Sequence, residues 1–530
     1  MHSYRRPAAL VAALLMAGGV LSAAPSAVAA VASVPVAGTG KATAHSVTVK
    51  SATTSPKALA AATPGPVLGK DGKPAGSTLP SGSTSGARPA PGAAAAGLRS
   101  PAAAGLTSAS TLKDPSFTGT GEANSSSTSP TPYVTAAVNA TQVAETVNLS
   151  LQVFSKTGTS LCTESLASLL GALGGLTEPR IQYDNAAKRY SLVIASMPST
   201  SSDVPVFYLA TSQADTACGA WWVYTIILSG NQYPLGGQLN YPYLGQDSTS
   251  LLASTNNFTF GSSYLGTGAF AMPKSVAYTG NPFNITTYSV DFSTAPPTVA
   301  GIPIQSTTTT YWLAAVPGTG FDVFSMPTNP AGAISFVGTV GAAFSPPSRR
   351  VRQPGTSDTL DPLDGRIESS VVQDGHVVWF ANGIDDSGFP TVLYGAIDAT
   401  NGNISDALAF HGNGTDDFNP SIGVSDQGSR GVAVWLNWAY TDPSAGVPVS
   451  DTINGVFPGN SVPNLTGSDL TLVTGTSTTS ITTFGAYSSV EIDPVASSST
   501  CPAGLTALSA QEYFTSASQW GTFLARTSFC

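Results

Sequence analysis

Six stretches of this chain share one form, and their spacing constrains the fold more than any other feature. Glu178-Pro-Arg-Ile-Gln-Tyr-Asp184, Asn240-Tyr-Pro-Tyr-Leu-Gly-Gln-Asp247 and Asn419-Pro-Ser-Ile-Gly-Val-Ser-Asp426 each run from a polar residue through a proline and a short strand into an Asp-centred turn. Gly301-Ile-Pro-Ile304, Gly365 to Gly375 and Ala486 to Asp493 are looser versions. With Pro179, Pro242, Pro303, Ile367, Pro420 and Tyr487 as markers, the successive spacings are 63, 61, 64, 53 and 67 residues. Each unit has room for four strands, so the expectation is an all-β chain folded as a single six-bladed β-propeller. The prolines are expected at the first residue of a strand, where a missing N–H costs no ladder bond. A string of sandwich domains would show similar turns but not this short sixfold period.

Between the markers lie runs rich in β-branched and aromatic residues, such as Val204 to Ala210, Trp222 to Leu228 and Gly431 to Leu436, punctuated by Gly, Asn, Asp and Pro. This is strand-and-turn spacing. Only Leu161 to Leu173 reads as a helix, a local insertion, and Thr146 to Phe154 reads as the strand that closes the ring beside the last one.

Composition divides the chain at Pro130. Up to there it holds 10 Lys+Arg, 3 Asp+Glu and two aromatics, Tyr4 and Phe117; beyond it there are 11 basic and 27 acidic residues and the other 43 aromatics. The first part is therefore +7 and the rest −16. Residues 1–29 have a basic start (Arg5, Arg6), an apolar run from Ala8 to Leu21 and a small-residue site at Ala27-Val28-Ala29, the three parts of a secretory signal peptide. Export by the Sec and twin-arginine routes both stay open. Residues 30–130, dominated by Ala, Ser, Gly, Thr and Pro, cannot bury enough apolar surface to offset the entropy of ordering and read as a disordered linker or stalk. Residues 131–530 are left as the propeller. No stretch of the mature chain is long and apolar enough to span a bilayer, and its location is expected to be secreted or cell-surface. Only 10% of residues are charged, against roughly 25% in an average soluble protein, which suits an exported chain.

Four cysteines, Cys162, Cys218, Cys501 and Cys530, are an even count in such a chain and are candidates for two disulfides, with three connectivities open.

Several motifs together resemble a largely uncharacterised family of bacterial exported β-propeller proteins of sialidase-like shape. These are Tyr183-Asp184 to Tyr190, Ala210-Thr-Ser212-Gln213 with Trp222 and Tyr224, Tyr241-Pro242 with Asn256-Asn257-Phe258, and Tyr487-Ser488, Asp493-Pro494, Gln511-Glu512-Tyr513 and Trp520-Gly-Thr522. The resemblance covers roughly residues 145 to 530 and implies a propeller but no particular activity. Where that family has an Asp before the Tyr-Pro, this chain has Asn240; where it has Trp-Gly-Asp-Tyr-Ser, this chain has Phe484-Gly485-Ala486-Tyr487-Ser488. Losing both acids argues against acid/base chemistry or metal binding at the channel.

The side chains best placed by the unit pattern to face a central channel are Arg180, Tyr241, Arg366, Glu368, Asn419 and Tyr487, and they are the candidate ligand-binding residues. A sialidase-type hydrolase would need an arginine cluster, an acid/base carboxyl and a Tyr/Glu nucleophile pair, for which Arg180, Arg366, Glu178, Glu368, Tyr241 and Tyr487 are the material. Blade-to-blade ion pairing is the ordinary use of such residues. Trp221, Trp222, Tyr241, Tyr243 and Trp312 could stack on sugars, but a propeller needs aromatics between its blades. His376 and His411 are the only histidines after residue 130, too few for a zinc site. No cofactor and no catalytic metal is expected; calcium on Asp385-Asp386 or Asp416-Asp417 is the one ion the loops suggest, against solvated turn carboxylates. A −16 domain excludes a nucleic-acid partner. The reading is a monomeric, non-catalytic, exported propeller that binds an extracellular protein or polysaccharide, with a glycan-acting hydrolase as the alternative.

Overall fold

The computed structural model describes the strand Ala42–Thr54 and residues 111–530, apart from short stretches at 122–123, 126–130, 173–174, 198–204, 229–236, 260–263, 291–297, 304–307, 329–333, 460–463, 467, 497–498 and 500. The signal expected at 1–29 and most of the linker expected at 30–130 lie outside the described residues.

The chain is a propeller of seven blades, not six. Each blade is a four-stranded antiparallel meander: blade 1 over 134–165, blade 2 over 175–227, blade 3 over 238–290, blade 4 over 298–340, blade 5 over 371–409 and blade 6 over 416–473. Blade 7 takes Ser489–Ile492, Thr506–Ser516 and Gln519–Ser528 from one end of the sequence and Thr111–Gly121 from the other. Of the six sequence markers, Pro179, Pro242, Pro303 and Pro420 fall in the inner strands of blades 2, 3, 4 and 6, and Ile367 and Tyr487 fall just ahead of those of blades 5 and 7. Blade 1 escaped although Thr131-Pro132 precedes its inner strand, Val134–Val138, because this unit has no Asp-centred turn and adjoins the linker-like segment ending at Pro130. The run Thr146 to Phe154, expected as one closing strand, is instead folded back at Asn148 (φ 51°) into the hairpin of Gln142–Val147 and Ser150–Ser155. Asn tolerates the left-handed region where most residues resist it.

Ring closure comes from within the segment that composition assigned to the linker. Thr111–Gly121 pairs antiparallel with Gln519–Ser528, and Phe117 packs on Phe154 with ring centroids 5.2 Å apart. The buried Glu145 carboxylate of blade 1 locks this seam. It accepts from the Thr120 N–H (2.8 Å), the Thr120 hydroxyl (2.6 Å) and the Thr522 hydroxyl (2.6 Å). Gly119 lies so close that a Cβ there would collide with both Thr522 Oγ1 and Glu145.

Both disulfides form between sequence neighbours. Cys162–Cys218 ties the outer strand of blade 1 to blade 2, and Cys501–Cys530 secures the last strand within blade 7. In the chain-entropy picture each closed loop contributes about 4 kcal/mol. The helix expected over Leu161 to Leu173 shrinks to the single turn Leu166–Leu170, because Ser160–Ser165 is needed as the outer strand of blade 1 and Gly171 (φ 61°) ends the turn. Among the described residues no helix is long and apolar enough to cross a membrane.

The aromatics are used mainly in packing. Trp221, Tyr243, Trp312, Trp435 and Trp438 are completely buried, and only Trp222 of the tryptophan pair keeps partial exposure. Tyr241 is also in the core, so the aromatics considered for sugar stacking chiefly hold blades together.

Two insertions cross one end of the ring. Between blades 4 and 5, residues 341–370 carry the small hairpin of Val351–Arg352 and Thr359–Leu360, whose Val351 and Leu360 pack with Val134, Phe418, Phe484 and Leu508 of the far blades. Residues 474–488 meet this insertion: Gln353 and Thr479 exchange two hydrogen bonds, and Arg350 donates to Thr482 O at 2.7 Å. Together they roof the ring where the inner strands begin.

Candidate functional site

The inner strands of blades 2, 3 and 6 carry one local device. Glu178, Tyr241 and Asn419, each followed by proline, have φ of 58°, 50° and 52°, and the pairing register slips at each, between Thr177 and Arg180, Asn240 and Tyr243, and Phe418 and Ser421. The prolines therefore sit at bulges inside strands, not at strand starts as expected; a bulge leaves a residue unpaired, so the missing N–H is not needed. Left-handed backbone costs a non-glycine residue about 1–2 kcal/mol. It persists where the surroundings fix it, and here they do: the Tyr241 N–H produced by the turn donates to Glu178 Oε2 at 2.6 Å.

These bulges gather charged and aromatic side chains into a plug on the ring axis. Tyr487 donates its hydroxyl to Glu178 Oε2 (2.7 Å). The Arg180 guanidinium lies 3.3 Å above the Tyr487 ring and donates to Pro242 O (2.8 Å) and Glu368 O (2.7 Å). Arg366 sits 3.8 Å over the Tyr241 ring and pairs with Asp364, with Nε 2.6 Å from Oδ1. Tyr243 donates to Ile367 O at 2.8 Å. The structure thus brings Arg180, Tyr241, Arg366, Glu368 and Tyr487 together, with Glu178 and Tyr243 added. Asn419 stands alongside, its Nδ2 donating to Gln511 Oε1 (3.1 Å) and Glu512 Oε1 (3.3 Å). All six candidates are buried, none more than 5% exposed.

Burial controls the charge states. It raises the Glu178 carboxyl above its ordinary range despite the bonds from Tyr487 and Tyr241, and lowers Arg180. It raises Glu368 and Glu512 well above the usual carboxylate range, with Arg366 opposing at Glu368. Tyr487 is pushed well up by burial and by the Glu178 charge, so its hydroxyl stays protonated. Asp364 alone is held low, because Arg366 outweighs its desolvation.

Along the same inner strands, away from the roof, lies a cavity of about 940 Å³. Its walls alternate hydroxyls and amides, among them Thr135, Gln182, Ser370 and Ser421, with apolar side chains such as Ile181, Leu244, Val372, Ile422, Val424 and Val490, which supply the larger share of the surface. Arg180 is the one residue shared with the candidate set. At the rim Lys274 pairs with Asp184 at 2.7 Å, and this ammonium, with the Tyr278 hydroxyl (3.0 Å), overcomes desolvation to keep Asp184 ionised and low. Glu491, half-buried in the wall, has no cation beside it, and desolvation pushes it up to about 8. Sequence reasoning missed this cavity. Its only trace was the recurrence of Ser and Thr along inner strands, which exposed turns share.

The other sequence-level candidates lie elsewhere. Asp416 takes Arg349 (2.9 Å) and Arg352 (2.8 Å), Asp417 takes the Trp438 indole N–H (2.9 Å), and Asp385 takes the Gly388 N–H (3.0 Å). His376 faces Asp398 at the surface, and His411 stacks on Tyr440 with centroids 3.9 Å apart. Asn240 and Ala486, the positions without acids, are both buried beside the plug.

No family profile and no curated protein matches the chain. Solved structures similar to it include a neuraminidase-like protein of A/little yellow-shouldered bat/Guatemala, at 9% identity and a TM-score of 0.38, covering 68% of this chain and 99% of that one. A xylan beta-1,4-xylosidase from Bacillus halodurans aligns at 8% identity and 0.28, covering 75% and 98%. A GH43_1 enzyme from Xanthomonas citri aligns at 9% and 0.25, covering 53% and 89%. Such scores carry no argument about this chain's activity, and its blade count rests on its own strand pairings.

Proposed function

We propose that the protein is an exported, non-catalytic propeller that binds a neutral polar ligand, a glycan in preference to a protein loop, in the axial cavity. The observation that carries the reading is the division of the axis. Its acids, arginines and tyrosines are paired under a roof, while the accessible wall combines hydroxyl and amide groups, which can both donate and accept hydrogen bonds, with apolar side chains such as Leu244, Val372 and Val490. A cavity of about 940 Å³ is at the upper end of ordinary ligand pockets and accommodates several sugar rings. Hydroxyls set among apolar side chains match a sugar, which presents both hydroxyl edges and apolar C–H faces, without the desolvation cost of ionic groups.

The second reading, a glycan-acting hydrolase, draws on one contact: the Tyr487–Glu178 hydrogen bond of 2.7 Å is the Tyr/Glu pairing such a mechanism needs. Against it, Arg180 and Arg366 have partners within the protein and no carboxyl of the plug reaches the open cavity.

Glycan-array binding and a fluorogenic glycoside panel, run on the wild type and on Ser370→Trp, separate the two. The binding reading expects no turnover, and at least a tenfold loss of affinity when the tryptophan fills the cavity of a protein whose circular dichroism is unchanged. Turnover lost in Tyr487→Phe, with the fold retained, would establish the hydrolase instead.

A further inference from the structure

Beside Asn419, the plug contains acceptors that nothing in the protein satisfies. Among the described residues, both oxygens of Glu368, Oε2 of Glu512 and Oδ1 of Asn419 and of Asn382 are buried without a hydrogen-bond partner. Their side chains are at most 2% exposed. They are neighbours: Asn419 touches Glu512, Ser369 next to Glu368 donates to Pro420 O at 3.3 Å, and a Cβ on Gly383, next to Asn382, would lie 3.9 Å from Glu368 Oε1. An orphaned buried carboxylate is among the costliest groups a fold can contain. The charges are also unbalanced. Glu178, Asp364, Glu368, Glu512 and the buried Asp451 near Glu512 face only Arg180 and Arg366, and Asp364 and Arg366 neutralise each other. The protein's own cations are therefore too few to hold these carboxyls ionised, and burial raises Glu368 and Glu512 in their absence.

We propose that Glu368 and Glu512, with the amide oxygen of Asn419, hold a hard divalent cation, calcium by its oxygen preference, at the centre of the ring. The orphaned acceptors are all oxygens with no imidazole or thiolate among them, and the one orphaned donor of the plug, Nη1 of Arg366, leaves them unsatisfied; this is the donor chemistry that selects calcium or magnesium over zinc. Calcium's tolerance of irregular coordination at six to eight oxygens suits ligands drawn from three separate segments, and ordinary solvent oxygens complete such shells. The site is structural in character: it is separate from the open cavity, and its ligands join the insertion ahead of blade 5 (Glu368) to blades 6 (Asn419) and 7 (Glu512). It differs from the paired turn aspartates 385–386 and 416–417, whose oxygens are already engaged by backbone and arginine donors.

The test is thermal unfolding of the purified protein after exhaustive chelation, with calcium, magnesium or no metal added back, beside the bound-metal content by plasma emission spectroscopy. Calcium at a hundredfold excess over its Kd should raise the midpoint by about 5 °C, and the as-purified protein should carry about one equivalent. The double variant Glu368→Gln/Glu512→Gln removes the charge but keeps the shape, so it should fold without metal and ignore calcium. Asp385→Asn serves as the control and should retain the full shift. The proposal is overturned if the chelated wild type is indifferent to both cations, or if the double variant responds as the wild type does.

Discussion

The two ends of the same inner strands make opposite use of their residues. At the roofed end, Glu178, Arg180, Tyr241, Arg366 and Tyr487 form short contacts with one another and exclude the outside. At the open end, Ser370, Ser421, Ser425 and Ser489 line a space large enough for a ligand and make few ionic contacts. The residues most conspicuous in the sequence, charged and aromatic ones beside prolines, are those the fold has engaged in holding seven blades around an axis. Conspicuous chemistry in a ring's centre marks the need to fill and bind that centre before it marks a reaction.

The contrast can be broken in three places. Arg180→Ala removes the cation above Tyr487, orphans the carbonyls of Pro242 and Glu368, and leaves Glu178 without its neighbouring charge. The expected cost is about 3–5 kcal/mol in denaturant unfolding. If stability is kept and only ligand binding falls, the plug is a recognition site and the division drawn here is wrong.

The next effect is pH-dependent and belongs to the open end. Glu491 has a folded-state value near 8, above its unfolded value, so its protonated form favours the folded state. Its contribution is fully present below about pH 4.5 and is lost as pH rises through 8. Glu491→Gln should therefore match the wild type in melting temperature at pH 5 and exceed it at pH 9. A constant difference across that range would show that Glu491 is solvated like a surface carboxylate.

The smallest effect is expected at Ser421, whose hydroxyl is buried without a partner. Ser421→Ala should change unfolding free energy by no more than about 0.5 kcal/mol. A larger loss would mean that the cavity wall is itself structural, which would erase the distinction from the plug.

How much of this was legible followed from what proline and serine each signal. Pro179, Pro242 and Pro420 announce bulges because only a bulge or edge tolerates a missing N–H, and so three inner strands and their period could be read directly. The adjacent residues Arg180, Tyr241 and Asn419 came with them, and the candidate set did converge. Blade 1 has no proline in its inner strand, and the turn at Asn148 is hidden in an alternating run, so one blade was lost from the count. The closing strand contains the only aromatic of the linker, but one Phe117 among Ser, Thr and Gly cannot outweigh its composition. The cavity was unreadable for a different reason: a serine on an inner strand and a serine in a surface turn look alike until the ring is closed.

That closure sets a timetable for folding. Thr120 and Thr522, 402 positions apart in the sequence, meet at Glu145, so Thr111–Gly121 has no strand partner until Gln519–Ser528 has been made. Every shorter nascent chain leaves the seventh blade unfinished and the Glu145 carboxylate without its Thr522 donor. Contacts of such separation slow folding, so the ring assembles as a late event of the whole chain, and truncation of either terminal strand should leave an open-edged, aggregation-prone product in place of a smaller propeller.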